Sequence, residues 1–549
     1  MNRSRFARFL AVVCVSLLSW TATLSAQSFA EDRVLVSFRP GTPADGINAA
    51  HGPTGGQVVT TLDGLGVQVV RVPAGTVKRA IQLYENNPNV EFAEPNHRRL
   101  LFRPVTTEGS EPQLGITNNF NEQWALNNTG QSFGATIDPL FGTLTAPAYT
   151  GLADADIDAP EGWAITHGSS AVRIAILDSG VSCQHVDLDS KCIEQLNFVD
   201  EHGSPIDDIV GHGTHVAAIA AAETDNGIGT AGVAREASIG SFKVCYEDYS
   251  LAIFGIILSF CEDEDIAEAI IQATNSGYQV INMSIAGPEP SATIENAVNY
   301  AWSQGVVVVA GAGNDYSPTK QYPAAFENVI GVGATDRYDN QAYFSSFSTN
   351  TDDWVSVAAP GDVILSAVPS ELCGLAPDDP QGCYDWKSGT SMATPHVAGI
   401  AAMLWAHLPN ATNAEIRSII ENSSEKVGVM GQNLLAWTKH GRVNLHSALT
   451  YTPEDPGPGP GGDTTAPVIS NVVVSKPNNG PRFAVIWETD EPATSQVTIT
   501  SFSPYSDGNL VTSHRAEFRG ERGVTYELNV SSTDAAGNVA TAGPFFHAN

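Results

Sequence analysis

The segment Val172-Arg173-Ile174-Ala175-Ile176-Leu177 runs straight into Asp178-Ser179-Gly180. A short apolar run rich in β-branched residues and closed by a turn signal reads as a strand buried on both faces rather than as a helix. Strands of that kind belong to parallel sheets whose two faces are covered. Outward from it, similar runs stand at 280–283, 306–310 and 329–332, and helical patterns at 216–222, 265–275, 294–302 and 397–407 alternate with them. The alternation predicts an α/β domain, a mostly parallel sheet with helices on both faces. It also puts the Asp178 carboxyl at the C-terminal end of a buried strand, where such sheets hold their ligands. On its own, an aspartate there is most often a turn former.

The chain is longer than this domain needs. Its 549 residues exceed the roughly 250–300 at which one core stops growing. With 42% apolar and 16% charged residues it is not an acidic disordered chain. No apolar run of roughly 18 residues follows the N-terminal stretch. Lys+Arg 27 against Asp+Glu 60 leaves a net charge of −33 with no long basic cluster, so a nucleic-acid partner is not expected. At the N-terminus Arg3, Arg5 and Arg8 precede an apolar stretch over 9–20 and small residues that offer cleavage after Ala26 or Ala30. Residues 1–30 read as a Sec-type signal peptide of a secreted protein, with an apolar stretch too short for a stable membrane anchor.

Cys14 leaves with that peptide. The six other cysteines fall in close pairs, Cys183 with Cys192, Cys245 with Cys261 and Cys373 with Cys383. In an exported chain three local disulfides are the simplest pairing, though six thiols permit others. Residues 31–105 carry a pattern of their own. The apolar Val34-Leu35-Val36-Ser37-Phe38, the alternating Val67-Gln68-Val69-Val70-Arg71-Val72, a helical stretch over 76–84 and an extended piece at 90–92 make a small α+β unit. A loose stretch from His97 to Phe120 reads as a linker open to proteolysis, which puts the linker proper at 106–122 and the α/β domain at 123–450. A Pro/Gly run at 451–465 separates a β-rich tail over 466–549, read as an all-β sandwich in which Trp487 and Tyr526 are core.

Three further segments carry chemistry. In Gly211-His212-Gly213-Thr214-His215-Val216 glycines flank a histidine, let other groups approach it closely, and leave Thr214 to cap the following helix. In Gly389-Thr390-Ser391-Met392-Ala393-Thr394-Pro395-His396-Val397-Ala398-Gly399 a serine stands where a loop turns into a helix of small residues. The free N–H groups and positive end of such a helix favour a developing oxyanion. In Gly311-Ala312-Gly313-Asn314 an ordinary turn asparagine is also able to aim its amide at that oxyanion. His185, His202, His215 and His396 default to structural roles.

The chain order Asp178, His212, Asn314, Ser391, with Gln123-Trp124-Ala125-Leu126-Asn127-Asn128-Thr129-Gly130-Gln131 and Tyr322-Pro323-Ala324 in matching places, resembles the subtilisin-like serine proteases. The resemblance implies Ser391 as nucleophile, His212 as general base and acid, Asp178 as its orienting carboxylate and Asn314 as oxyanion donor. It implies substrate backbone binding by Ser284, Ile285, Ala286 and Gly287 on one side and Gly311, Ala312 and Gly313 on the other, with Ala286 standing where glycine is usual. The stretch 251–260 then suits apolar substrates or a satellite core under a disulfide-braced loop. A loop containing Thr224, Asn226, Ile228 and Thr230, facing Asp187, resembles the family's calcium loop and implies a structural Ca²⁺. The 31–105 unit resembles the family's inhibitory propeptide, and the tail a fibronectin type III-like module. The implied protein is a monomeric, self-processing endopeptidase acting on proteins or peptides and held by its own propeptide. The rival expectation is a subtilase fold that binds without cleaving.

Overall fold

The computed structural model describes residues 28–101, 113–114, 120–133, 149–250, 258–376, 379, 382–452, 466–475, 482–500, 505–520, 523–533 and 538–548. They fall into two compact units, one ending at Tyr451 and the other beginning at Thr452. The signal peptide, most of the 106–122 linker, residues 251–257 and the Pro/Gly run lie outside the described residues.

The first unit starts with strand β1 (Phe29–Phe38), helix α1 (Ala44–His51), strands β2 (Gln57–Leu62) and β3 (Val67–Arg71), helix α2 (Val77–Glu85) and strand β4 (Val90–Leu100). This is the expected α+β unit, with α1 and β2 added. The extended piece foreseen at 90–92 runs on to Leu100, so His97–Leu100 is strand rather than loose chain. It is held because Arg98, Arg99 and Leu100 pair antiparallel with Glu262, Cys261 and Phe260 of the next domain.

That domain contributes β5 (Arg173–Asp178), β6 (Cys192–Asn197), α3 (Gly213–Ala221), β7 (Ser238–Lys243), the hairpin strands β8 (Cys245–Asp248) and β9 (Leu258–Glu262), α4 (Asp263–Asn275), β10 (Val280–Met283), α5 (Ala292–Ser303), β11 (Val307–Gly311), β12 (Val329–Thr335), β13 (Val357–Pro360) and α6 (Thr390–His407). Seven of these strands form one sheet in the order β13-β12-β11-β10-β5-β7-β6, and every pair in it is parallel. The period of two explains the opening segment: Ile174 and Ile176 enter a core with α3 and α6, while Ala175 and Leu177 enter a second core with α4 and α5. A second sheet, β8-β9-β4-β1-β3-β2, joins the N-terminal unit to the hairpin. The three cysteine pairs come together as expected, with Cα separations of 5.5 Å for Cys183–Cys192, 4.1 Å for Cys245–Cys261 and 6.2 Å for Cys373–Cys383.

The second unit is all β. Its long strand β14 (Arg482–Ile499) pairs antiparallel with β15 (Ile469–Ser475), β16 (Tyr505–Arg519) and β17 (Thr525–Thr533), and β17 with β18 (Val539–Ala548). Trp487 and Tyr526 are buried in its core. The Trp487 ring stacks on His514 at 4.8 Å, and its indole N–H donates to Ser532 Oγ.

Candidate active site

Leu177 of β5 pairs with Met283 of β10, so Asp178 and Ser284, the next residues, stand side by side at the C-terminal edge of the sheet. Asp178 is fully buried. Its Oδ1 accepts the Ser179 N–H at 2.7 Å and lies 2.6 Å from His212 Nδ1. A carboxylate oxygen accepts, so Nδ1 carries the hydrogen and the lone pair sits on Nε2. Among the described residues Nε2 has no hydrogen-bond partner. The flanking glycine is needed for this approach, because a Cβ on Gly213 would stand 2.0 Å from Gly180 O and 3.1 Å from Asp178 Cβ.

The His212 loop is braced by a residue that the motif reading passed over. Buried Asp208 accepts the N–H groups of Val210, Gly211 and Thr214 and the hydroxyls of Ser179 and Thr214, all within 3.1 Å. Thr214, expected as the helix cap, lies inside the first turn of α3, and His212 holds the N-cap position. Asp208 does the capping from four residues upstream. Burial pushes its carboxyl up, and the bonds from Thr214 oppose that.

Ser391 is the second residue of α6, which begins seven residues before the helical pattern foreseen at 397–407. Pro395 inside this helix lacks the N–H that would bond the Ser391 carbonyl four residues back. The Ser284 hydroxyl takes that carbonyl instead at 2.9 Å, and Ser391 Oγ points back at Ser284 O, 3.4 Å away. Thr390 ties the opposite wall to the same helix. Its N–H and hydroxyl both donate to Asn314 Oδ1, at 2.9 and 3.0 Å, while its Oγ1 accepts the Gly313 N–H. The Asn314 amide nitrogen is thereby turned outward. A Cβ built on Gly389 would lie 3.4 Å from Asn314 Nδ2 and 3.6 Å from Ser391 N. Both nitrogens thus stand near one point, and glycine keeps it free of a side chain.

The two expected walls face one another across a short gap. A Cβ on Gly313 would fall 3.6 Å from the Ala286 methyl, in keeping with a narrowed pocket wall. Ile285 is buried, Ala312 donates to Val332 O behind Gly311, and Gly287 exchanges two backbone hydrogen bonds with Tyr322. The N-terminal unit caps the helices beside this cleft. Glu94 accepts the N–H groups of Ala292 and Thr293 at the start of α5, and Asn96 Oδ1 accepts the Glu264 N–H at the start of α4. Three of the histidines expected to be structural are held by main chain, His185 by Cys383 O, His215 by Asp385 O and His396 by Met392 O, while the His202 ring stacks on Tyr246. Burial pushes all three well down, His185 and His396 to about 4.

At the far side of α3 the loop with Thr224 and Ile228 wraps Asp187. Its carboxylate accepts the Asn226 amide, the Thr230 N–H and the Thr230 hydroxyl, and burial pushes it up to about 6. Gly229 packs so closely that a Cβ would stand 2.1 Å from Asp187 Oδ2. Among the described residues no group of three His, Cys, Asp or Glu stands as a metal cluster. One buried carboxylate with no basic side chain bonded to it among the described residues, beside a loop whose main chain and hydroxyls offer oxygen donors, fits a hard cation.

Comparison with known proteins agrees with this geometry. A profile of the subtilase family matches residues 169–436, and one of the fervidolysin N-terminal prodomain matches residues 19–96. The thermophilic serine proteinase of Bacillus sp. (strain AK1) is 36% identical over 427 residues, 77% of this chain and 88% of that one. Thermitase of Thermoactinomyces vulgaris is 40% identical over 295 residues, 54% of this chain and 94% of that one. Fervidolysin of Fervidobacterium pennivorans is 32% identical over 438 residues, 77% of this chain and 58% of that one. The likeness thus runs over most of the length of named serine proteinases and includes the prodomain, and the chain belongs to the subtilase family of serine proteases.

Proposed function

We propose that this protease cuts peptide bonds of proteins through Asp178, His212, Ser391 and Asn314, and that it first cuts its own prodomain. Ser391 Oγ attacks the substrate carbonyl as His212 Nε2 takes its proton. The oxyanion is met by Asn314 Nδ2 and the Ser391 N–H. His212 then gives its proton to the leaving amine, and water resolves the acyl-enzyme by the reverse proton traffic. Asp178 keeps the tautomer and stabilises the imidazolium. The observation that carries the reading is that Asn314 Nδ2 and Ser391 N both stand beside Gly389, at the sheet edge where Asp178 holds a His212 whose Nε2 has no hydrogen-bond partner among the described residues. The test is the full chain carrying Ser391→Ala, purified alone. It should keep its prodomain and lose all peptidase activity; self-processing at the normal rate would exclude Ser391.

Three finer assignments go with it. Asp187, Asn226 and the carbonyls of Thr224, Ile228 and Thr230 hold a structural Ca²⁺, which contributes stability and no chemistry. The chain is exported and its signal peptide is cut after Ala26 rather than after Ala30, because β1 begins at Phe29, Ala30 is buried and Ser28 O accepts the Arg98 N–H. The prodomain, which then begins at residue 27 and runs to 105, acts as inhibitor until the 106–122 linker is cut, and the tail over 466–549, fibronectin type III-like by its motifs, is independent of catalysis by the monomeric 123–450 domain.

A further inference from the structure

The last strand of the prodomain pairs antiparallel with β9 and reaches the Gly287 wall, and one of its side chains is held by bonds along two edges. The Arg99 side chain is 2% exposed, and Asp263 on the facing domain is fully buried. Arg99 Nε donates to Asp263 Oδ1 at 2.6 Å and Nη2 to Asp263 Oδ2 at 3.1 Å. The other edge of the guanidinium donates to Glu289 O at 3.1 Å and to Tyr322 O at 3.2 Å. Two parallel bonds to a carboxylate and two more to carbonyls match the planar guanidinium fork, which a lysine lacks. Gly287 leaves the room, because a Cβ there would stand 2.9 Å from Arg99 Nη1.

The position of this pocket is set by the chain that lines the cleft. Ser284 touches Ser391, and Gly287 touches Arg99. Three residues span at most ~10 Å of extended chain. A peptide following the same wall therefore places its residue at the Arg99 position about three residues before the bond that Ser391 faces. We propose that the mature enzyme selects substrates with arginine at that position, and that Asp263 is the residue that reads it. This rests on Ser391 being the nucleophile. When the prodomain leaves, Asp263 and the two carbonyls lose their donors. A substrate arginine restores all four bonds, whereas an apolar side chain would cover a charge and leave it unpaired, which is costly. Arg98, one residue earlier, meets Glu262 at 2.8 Å, but its side chain is 29% exposed and so reads charge more weakly.

The test uses mature, self-processed enzyme and quenched fluorescent peptides copying residues 96–105, with Arg, Lys, Leu or Glu at the position of Arg99. The expected order of kcat/KM is Arg above Lys above Leu above Glu, with Arg over Leu by tenfold or more. In Asp263→Asn the Arg to Leu ratio should fall toward one. Should that variant not fold, the wild-type series decides by itself, joined by prodomain added in trans, where Arg99→Leu should weaken inhibition by tenfold or more and Arg98→Leu by less. Equal or preferred cleavage of the Leu peptide overturns the arginine pocket alone. Failure to cleave any peptide of the series overturns the nucleophile reading beneath it.

Discussion

Two sets of buried carboxylates flank the cleft, and they are stabilised in opposite ways. Asp178 and Asp208 draw their partners from within their own domain: Oδ1 of the first meets His212 and Ser179, and the second has five donors from the His212 loop and Ser179. At the start of α4, Glu262, Asp263, Glu264 and Asp265 are also buried, yet they draw on the prodomain. Arg98 meets Glu262, Arg99 meets Asp263, and Arg33 stands 3.8 Å from Glu264. Burial and mutual repulsion push Glu264 up to about 8 and Asp265 well above the usual carboxylate range. The first set is built to last through every turnover. In the second, Glu262 and Asp263 take their arginine partners from the prodomain, while Glu264 Oε2 and Asp265 Oδ2 stay without a hydrogen-bond partner among the described residues even in the precursor, so the energy with which Arg98 and Arg99 dock the inhibitor is the energy the mature enzyme can offer to a basic substrate.

The widest separation of the two sets should come from Asp178→Asn. Losing the carboxylate that fixes the His212 tautomer should lower kcat by on the order of 10⁴, the scale of the same change in another Ser-His-Asp enzyme, while inhibition by added prodomain persists. Steady-state kinetics and a titration with isolated prodomain measure both. A fall in prodomain affinity to match would mean that the two regions are one.

Next in size is Asn314→Ala. A loss of about 10²–10³ in kcat with little change in KM is expected, a range carried over from a subtilisin oxyanion asparagine. Unchanged turnover would remove the Nδ2 donor from the site. Chelation of calcium comes third. With Ser391→Ala to stop autolysis, stability of the unit ending at Tyr451 should fall by about 2.7 kcal/mol relative to calcium at a hundredfold excess over Kd. The tail should melt unchanged in the same scan, and a catalytic transition indifferent to chelator would refute the Asp187 site.

The smallest effect concerns pH. Glu264 faces Arg33 from β1 and the carboxylates of Glu262, Glu201 and Glu268, and Asp265 is pushed up by the same cluster. A carboxyl whose value is raised in the complex is protonated there and ionised once solvent reaches it. The contribution of Glu264 to prodomain binding is therefore largest below the ordinary carboxylate range near 4.5 and is lost as pH rises through about 8, so above the range in which Glu262 and Asp263 ionise the affinity falls with rising pH. One proton sets a ceiling of about tenfold per pH unit, and the Arg33 pairing lowers it to a few-fold. Inhibition constants at several pH values measure this; tighter inhibition at high pH would reverse the argument.

The fold was legible where one kind of side chain covers both faces of a strand. The runs at 172–177, 280–283, 306–310 and 329–332 declared β5, β10, β11 and β12 to within a few residues. The strands Ser238–Lys243 and Cys192–Asn197 passed unread, because serine, glycine and lysine break the pattern in the first and glutamate, glutamine and asparagine in the second. Lys243 is nonetheless fully buried, its Nζ bonded to Ser179 O and Glu247. The helical pattern at 397–407 stops short of Thr390 because Pro395 interrupts it, although the small-residue string put the loop-to-helix junction at Ser391, and the missing N–H is answered by Ser284, which lies just past β10. The tail is β-rich in sequence and all β in structure.

The chain by itself determined the chemistry-bearing residue types and their order, since glycine beside His212 and the loop-to-helix junction at Ser391 are local features. Only the tertiary structure decided what supports them. The partners of Asp178, Asn314 and Asp263 stand 34, 76 and 164 positions away. Strand order and the docking of β4 bring those groups together, and no pattern of neighbouring residues encodes them. The physical reason is that a buried charge is stable only where donors surround it, and donors from distant segments meet it only after the sheet has formed.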